Sequence, residues 1–302
     1  MFIVKHTKKF ISLSIFLVIL SVVFIFTFGL KPGIDFKGGA LLEVVYPLGR
    51  PEVSMLETAT KELGLNQSLI QPTGDLGYIL KTRDINQTEH DALLKLLSFE
   101  GKYSVNEKSF TSVGPVVGSE LKRKAIVSIT MVILAIIIFI TYAFRRVSKP
   151  VASWKYGLIT IITLLHDIII PTGFFAVFSH YAEVEVDTLF VLALLTILGL
   201  SVHDKIVVFD RIRENLRNED KRPFREIVGT STNETIIRSI NITLTTICVL
   251  VPMYLFGPEA TKNFALVLTI GLFFGIYSSL FFASPLLVWV EEWQEKRKKH
   301  RC

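Results

Sequence analysis

Six apolar blocks, each close to the length that crosses a bilayer, set the terms on which this chain folds. They run Phe10 to Leu30, Ala125 to Phe144, Gly157 to Phe178, Leu189 to Val208, Ile236 to Phe256 and Ala265 to Val290. About 20 helical residues span roughly 30 Å of hydrocarbon. Lipid offers no water to backbone N–H and C=O groups, so segments of this composition close their hydrogen bonds internally as helices. The blocks predict an α-helical integral membrane protein with six transmembrane helices. The first block is too long for a signal-peptide core of about 7 to 15 residues and lacks a small-residue cleavage site, so it reads as a retained anchor.

Orientation follows from Lys and Arg, which stay on the cytoplasmic side of short loops. One set of segments carries Lys5, Lys8 and Lys9, then Arg145, Arg146, Lys149 and Lys155, then Arg211 through Arg225, then Lys296 to Lys299 and Arg301. The alternate short loops are SHYAEVEVD, without Lys or Arg, and GPEATKNF, with Lys262. Both termini are therefore expected in the cytoplasm. The net charge of +6 reads as basic cytoplasmic edges drawn to anionic lipid headgroups, not as a nucleic-acid surface. Cys248 falls mid-span and Cys302 at the cytoplasmic end, so no disulfide is expected. No metal motif or cofactor motif is present.

The segment 31–124 is the large polar stretch, placed outside the cytoplasm by the orientation. GALLEVVYP reads as a strand, PEVSMLETATKELG as a helix with Met55, Leu56, Ala59 and Leu63 apolar, and SLIQPTG with GYILKTRD as a strand pair turning at Thr73 to Gly77. NQTEHDALLKLLS follows as a helix and KYSVNEKSFTSV as a last strand. This β-α-β-β-α-β order predicts an α+β ferredoxin-like domain between spans 1 and 2. His90 and the scattered acids there read as solvated surface. The expected domains are 1–30 (cytoplasmic N-terminus and span 1), 31–124 (outer domain), 125–290 (spans 2 to 6) and 291–302 (basic cytoplasmic tail). Glycine-rich elbows bracket the outer domain: GIDFKGG, with Gly33, Asp35, Gly38 and Gly39, and SVGPVVGSELK, with Gly114, Pro115, Gly118 and Glu120. Glycine there supplies tight turns and close backbone approach; a phosphate loop is disfavoured, since no Lys-Ser or Lys-Thr pair follows.

Charge inside the apolar blocks points to function. A charged side chain at span depth costs about 2.5 to 3.5 kcal/mol on insertion scales, yet span four contains His203, Asp204 and Lys205. In span five Glu234, Arg238, Asn241 and Thr245 recur at i, i+4, i+7 and i+11 and share one helix face, predicting a polar wall inside the bundle. In span three Thr160, Thr163 and Asp167 recur at i, i+3 and i+7, with His166 beside Asp167 and Asp167 close to the midplane. Asp204 and Arg238 fall at similar depths near the cytoplasmic boundary, which allows them to pair. The plainer readings are a snorkelling Asp204–Lys205 pair, mutual neutralisation of Glu234 and Arg238, and a solvated helical exit for Asp210, Arg211, Arg213 and Glu214. Gly271 and Gly275 form a GxxxG packing face.

Taken in order, GIDFKGG, SVGPVVGSELK, LLHD, GLSVHDKIVVFDRIREN and TSTNETIIRSINITLTT resemble the successive signatures of the SecF family, the smaller half of the bacterial SecD–SecF assemblies in the resistance-nodulation-division superfamily. The resemblance covers essentially the whole chain. It implies a non-enzymatic accessory of the Sec translocase in the bacterial inner membrane, which uses the proton or sodium motive force to promote export. It implies SecD, the SecY–SecE–SecG translocon, YajC, YidC and a translocating unfolded polypeptide as partners. It assigns ion relay to Asp204 with modulation by Arg238. Asp167 and His203 are further candidates for the relay, and Glu234, Asn241 and Thr245 for its support. The chain departs from the family pattern at His203 and Lys205, where Asn and a small residue are usual, and at Lys37, where Thr is usual. Pumps of that superfamily have two six-span repeats; this chain has one. Two rival readings are a structural scaffold without ion coupling, and an intramembrane metal-dependent hydrolase using His166-Asp167 and His203-Asp204.

Overall fold

The computed structural model describes residues 2–65, 68–143, 151–218 and 222–299. Arg145, Arg146, Lys149, Lys221, Arg301 and Cys302 lie outside the described residues. The elements follow as α1 (Phe2–Lys5), α2 (Thr7–Phe28), α3 (Ile34–Lys37), β1 (Gly39–Val45), α4 (Val53–Glu62), β2 (Leu69–Thr73), β3 (Gly77–Thr82), α5 (Gln87–Leu97) and β4 (Asn106–Val113). Then come α6 (Pro115–Ala143), α7 (Ser153–Ala182), α8 (Thr188–Asn218), α9 (Phe224–Phe256), α10 (Glu259–Ser278), a π-helical turn Ser279–Ala283, and α11 (Ser284–Lys299). Two compact units result, residues 1–31 with 127–302, and residues 32–126.

Among the described residues, six helices are long and apolar enough to cross a membrane: Thr7–Phe28, Pro115–Ala143, Trp154–Ala182, Thr188–Asn218, Phe224–Phe256 and Ala260–Arg297. Several outrun the apolar blocks that nucleate them. Helix α8 continues to Asn218 because ion pairs one turn apart support it, Arg213–Asp210 at 2.5 Å and Arg211–Glu214 at 2.6 Å. The sixth run is interrupted by the π turn, which the apolar pattern did not signal.

Small residues let these helices approach. The buried positions of α2 are Thr7, Ser14 and Ser21, at seven-residue spacing, and a Cβ added to Gly173 of α7 would fall 2.5 Å from Ser21 Cβ and 2.6 Å from its Cα. Contact this close leaves no room for a methyl group, because Ser21 opposes it with backbone. Gly173→Ala is expected to cost about 1 to 3 kcal/mol by overpacking, read as a lower melting temperature of the purified chain; an unchanged value would refute the contact. Gly271 and Gly275 also face α8: a Cβ on Gly271 would fall 2.1 Å from Ile197 Cδ1, whereas one on Gly275 would meet Ser201 at an ordinary 3.6 Å.

The second unit is a four-stranded antiparallel sheet of order β2-β3-β1-β4. Its core is Leu42, Val44, Tyr46, Leu56, Tyr78, Leu80, Leu93 and Leu97, in which alternate strand residues meet the apolar faces of α4 and α5. Burial pushes the Tyr46 hydroxyl pKa up, with Tyr78 adding to the shift. Asn86 caps α5 in a capping box with Glu89, and the Arg83 guanidinium, 2.5 Å from Glu89, holds that carboxyl below its ordinary range. This clasp is fully present above the unfolded carboxyl pKa of about 4.3 and is lost as pH falls through the lowered folded value. Hydrogen-exchange protection factors at the start of α5, which remove the intrinsic pH dependence of exchange, are expected to fall in that acid window and to hold on raising the pH above neutrality.

His90, expected at the solvated surface, is 5% exposed. It stacks on Phe110 at 4.0 Å with Nε2 3.3 Å from Glu107. Its place on the same face of α5 as Leu93 and Leu97 carries it inward.

The elbows meet each other. Gly38 has φ +83, and a Cβ there would fall 2.8 Å from Pro115 Cα; one on Gly118 would fall 2.9 Å from Gly38 N. The second elbow is therefore helix from Pro115 onward, not a loop, since proline at a first helical turn forfeits no hydrogen bond. Glu120 lies on that helix, paired with Lys124 at 2.9 Å. Gly33 precedes α3 in extended conformation, Asp35 lies within α3, and Gly39 opens β1.

Candidate functional site

Helix α8 buries Ile197, Ser201, Asp204, Lys205, Val208, Ile212 and Asn215, a stripe at helical spacing that carries charge into the bundle. Lys205 is 0% exposed. Its ammonium lies 2.6 Å from Asp167 Oδ2 on α7, 3.2 Å from Ser278 Oγ on α10 and 3.5 Å from the Ser201 carbonyl, and also donates to Ser201 Oγ. Ser201 Oγ donates to Asp167 Oδ2 in turn. The other carboxylate oxygen of Asp167 is 2.9 Å from His166 Nδ1.

His166 packs beside Tyr277 and Phe282, at ring-centroid distances of 6.0 and 5.3 Å, and its Nε2 is buried without a hydrogen-bond partner among the described residues. Tyr277 reaches Ser14 of α2 at 3.2 Å. Two backbone irregularities flank the cluster. Pro171 has no N–H to give the carbonyl of Asp167 four residues back, and the π turn starts directly after Ser278.

Lys205 thus does not snorkel beside Asp204. Adjacent helical residues diverge by about 100°, and Lys205 takes the interior side, where Asp167 neutralises it. Asp204 lies at the margin of the stripe, 8% exposed, with His203 Nδ1 3.8 Å away and the His203 side chain 61% exposed. That divergence also parts the two His-Asp dipeptides proposed as a metal site: His166 faces the interior and His203 faces out.

Asp204 and Arg238 form no ion pair. Helices α8 and α9 are held in antiparallel register by Asn215–Ser231 at 3.0 Å, Asn215–Glu234 at 2.9 Å and Arg211–Glu234 at 2.6 Å. Continued one turn, this register sets Arg238 opposite Val207, about 5 Å along the axis from Asp204. Arg238 lines a half-open cleft of about 430 Å³ with Val207, Asp210, Arg211, Glu214, Glu234 and Thr235.

Glu234, Arg238, Asn241 and Thr245 do share a face of α9, but that face is exposed in this chain and not turned into its bundle. The interior of α9 is lined by Ser231, Thr232, Thr235, Ser239 and Thr243. Ser231, Thr232 and Thr235 satisfy their hydroxyls on carbonyls one turn back, on Ile227 at 2.7 Å, Val228 at 2.8 Å and Ser231 at 3.1 Å, so they bury at less cost than long charged side chains. Ser201 and Ser278 are the site residues that sequence reasoning missed, and Lys205 was read there as a snorkelling side chain. The available signal was the stripe Ser201, Lys205, Val208 and Ile212, aligned with a lone acid in span three.

The family model for the protein export membrane protein SecD/SecF, C-terminal, matches residues 94–293, and that for the SecD/SecF GG motif matches residues 23–46, which include the first elbow. The protein translocase subunit SecF of Thermobaculum terrenum is 38% identical over 97% of this chain and 94% of its own length. That of Synechocystis sp. is 34% identical over 90% of this chain and 86% of its own length. The crystal structure of SecDF, a translocon-associated membrane protein from Thermus thermophilus, superposes with a TM-score of 0.80 at 27% identity. It covers 96% of this chain, which spans 38% of that longer chain. SecDF in its super-membrane-facing form gives a TM-score of 0.67 at 27% identity, over 98% of this chain and 39% of its own. Six membrane-length helices and these relatives describe a multi-pass membrane protein, and the chain belongs to the SecF family of protein translocase subunits.

Proposed function

We propose that this chain is the smaller partner of a SecD-type subunit and an accessory of the Sec translocase, converting an ion gradient across the bacterial inner membrane into outward movement of unfolded polypeptide. The single observation that carries ion coupling is the acid Asp204, held in the margin of an apolar bundle with no ion pair to another helix among the described residues, beside the internally neutralised Asp167–Lys205 pair. In this reading Asp204 takes up and releases the ion, and Arg238, about one turn away, modulates it. His203 and Asp167 tune the field around Asp204. The exposed face of Glu234, Asn241 and Thr245 then meets the SecD-type partner, which supplies the second six-helix half.

The same reading places both termini in the cytoplasm and spans 1–30 and 125–290 in lipid. Residues 31–124 form an extracytoplasmic ferredoxin-like domain that engages the emerging chain, and 291–302 form a basic tail at the headgroups. The two elbows, which meet where Gly38 contacts Pro115 and Gly118, are the proposed route by which a change is transmitted. SecY–SecE–SecG, YajC and YidC are the proposed neighbours. The test is export in cells carrying Asp204→Asn or Arg238→Ala, with proton and sodium gradients collapsed separately. Coupling requires Asp204→Asn to abolish the gradient-dependent part and Arg238→Ala to weaken it. A scaffold without coupling predicts normal export from both.

A further inference from the structure

The surroundings of the Lys205 ammonium have the composition of an alkali-cation site. Its four acceptors are all oxygens: Asp167 Oδ2, the hydroxyl and carbonyl of Ser201, and the hydroxyl of Ser278. One is anionic and three are neutral, which balances a single positive charge. Hard cations favour oxygen donors of this kind. The donors come from α7, α8 and α10, so occupancy ties three helices together, and every contributing side chain is buried. The site also sits where the helical ladder is broken on two sides, by Pro171 and by the π turn after Ser278, and π turns recur at functional sites.

We propose that these oxygens form a monovalent-cation nest filled by the tethered ammonium of Lys205, which makes Lys205 the residue that decides ion specificity. An ammonium fixed by its own chain cannot exchange with solution, so the nest is closed to sodium, and the exchanging acid is Asp204, which takes a proton. This inference rests on the ion-coupled reading above and names its ion. The neighbouring groups agree with it: His166 adds a hydrogen bond to the second Asp167 oxygen, and the rings of Tyr277 and Phe282 pack against that His166.

The test compares the full-length chain with Lys205→Ala, Lys205→Met and the double variant Asp167→Asn/Lys205→Ala, melted in sodium chloride and in choline chloride at equal ionic strength. Alanine opens the nest, so sodium is expected to raise the melting temperature of Lys205→Ala by about 4 °C or more. Methionine fills the space with an uncharged stem, and the double variant lacks the anionic ligand, so neither responds; nor does the wild type. Export by the wild type is expected to persist when sodium is replaced by choline and to fail with a protonophore.

The nest is overturned by an absent sodium response in Lys205→Ala, by failure of that variant to fold in either salt, by an equal response in the double variant, or by sodium-dependent wild-type export. If Asp204→Asn exports normally, the ion-coupled reading itself fails. If Asp204→Asn abolishes the gradient-dependent part of export while Lys205→Ala ignores sodium, only the nest does.

Discussion

Lys205→Met is expected to destabilise this protein by about 3 to 5 kcal/mol, the range for removing one member of a buried ion pair. The loss arises because Asp167, 0% exposed, keeps its desolvation cost while its ammonium partner 2.6 Å away disappears. Only the Ser201 hydroxyl and His166 remain on the carboxylate. Asp167→Asn is expected to be harmful for the converse reason, leaving an ammonium with hydroxyls and a carbonyl as its acceptors. Combining Asp167→Asn with Lys205→Met removes both charges, and the double variant is expected to recover most of the loss, with a coupling energy of about 3 kcal/mol or more. Thermal unfolding of the three variants in detergent measures it. Additive losses would mean that the two side chains do not act as a pair.

For Asp204→Asn the expected loss is in export and not in folding. Asp204 has no ion pair to another helix among the described residues, so an amide of equal size strands no buried partner. One elementary charge crossing 100 mV releases about 2.3 kcal/mol, a bias of roughly fiftyfold on a conformational equilibrium. Without an exchangeable carboxylate that bias vanishes. Export by the variant is expected to match that of wild-type cells whose gradient has been collapsed, with the protein present at normal level. Pulse-labelled secretion together with quantitative blotting decides it: normal export would leave a scaffold, and a missing protein would show that Asp204 is structural.

How much was legible in advance varied with the range of the interactions. The strand and helix order of residues 39–113 was readable because short apolar runs such as GALLEVV, and the turns that bound them, are local properties of the chain. His90 was misread because its burial depends on which face of α5 the sheet covers. Span five was misread for the same reason. Its pattern put Glu234, Arg238, Asn241 and Thr245 on one face correctly, but periodicity fixes only relative angles around a helix and not the direction in which the whole face points.

The sequence by itself determined six membrane-length helices, the polar segment between the first two and the presence of charge in the third, fourth and fifth. Each of these follows from hydropathy and from period, which are summed over neighbours in the chain. Tertiary structure alone decided that Lys205 and not Asp204 lies deepest, that Asp167 is its partner across 38 positions of sequence, and that Ser278 completes the cluster beside a π turn. Such pairings depend on helix rotation and on packing at Gly275 and Ser201. A rotation of one residue, about 100°, exchanges the buried member of a His-Asp-Lys run for its neighbour, and no property of a single helix sets that angle.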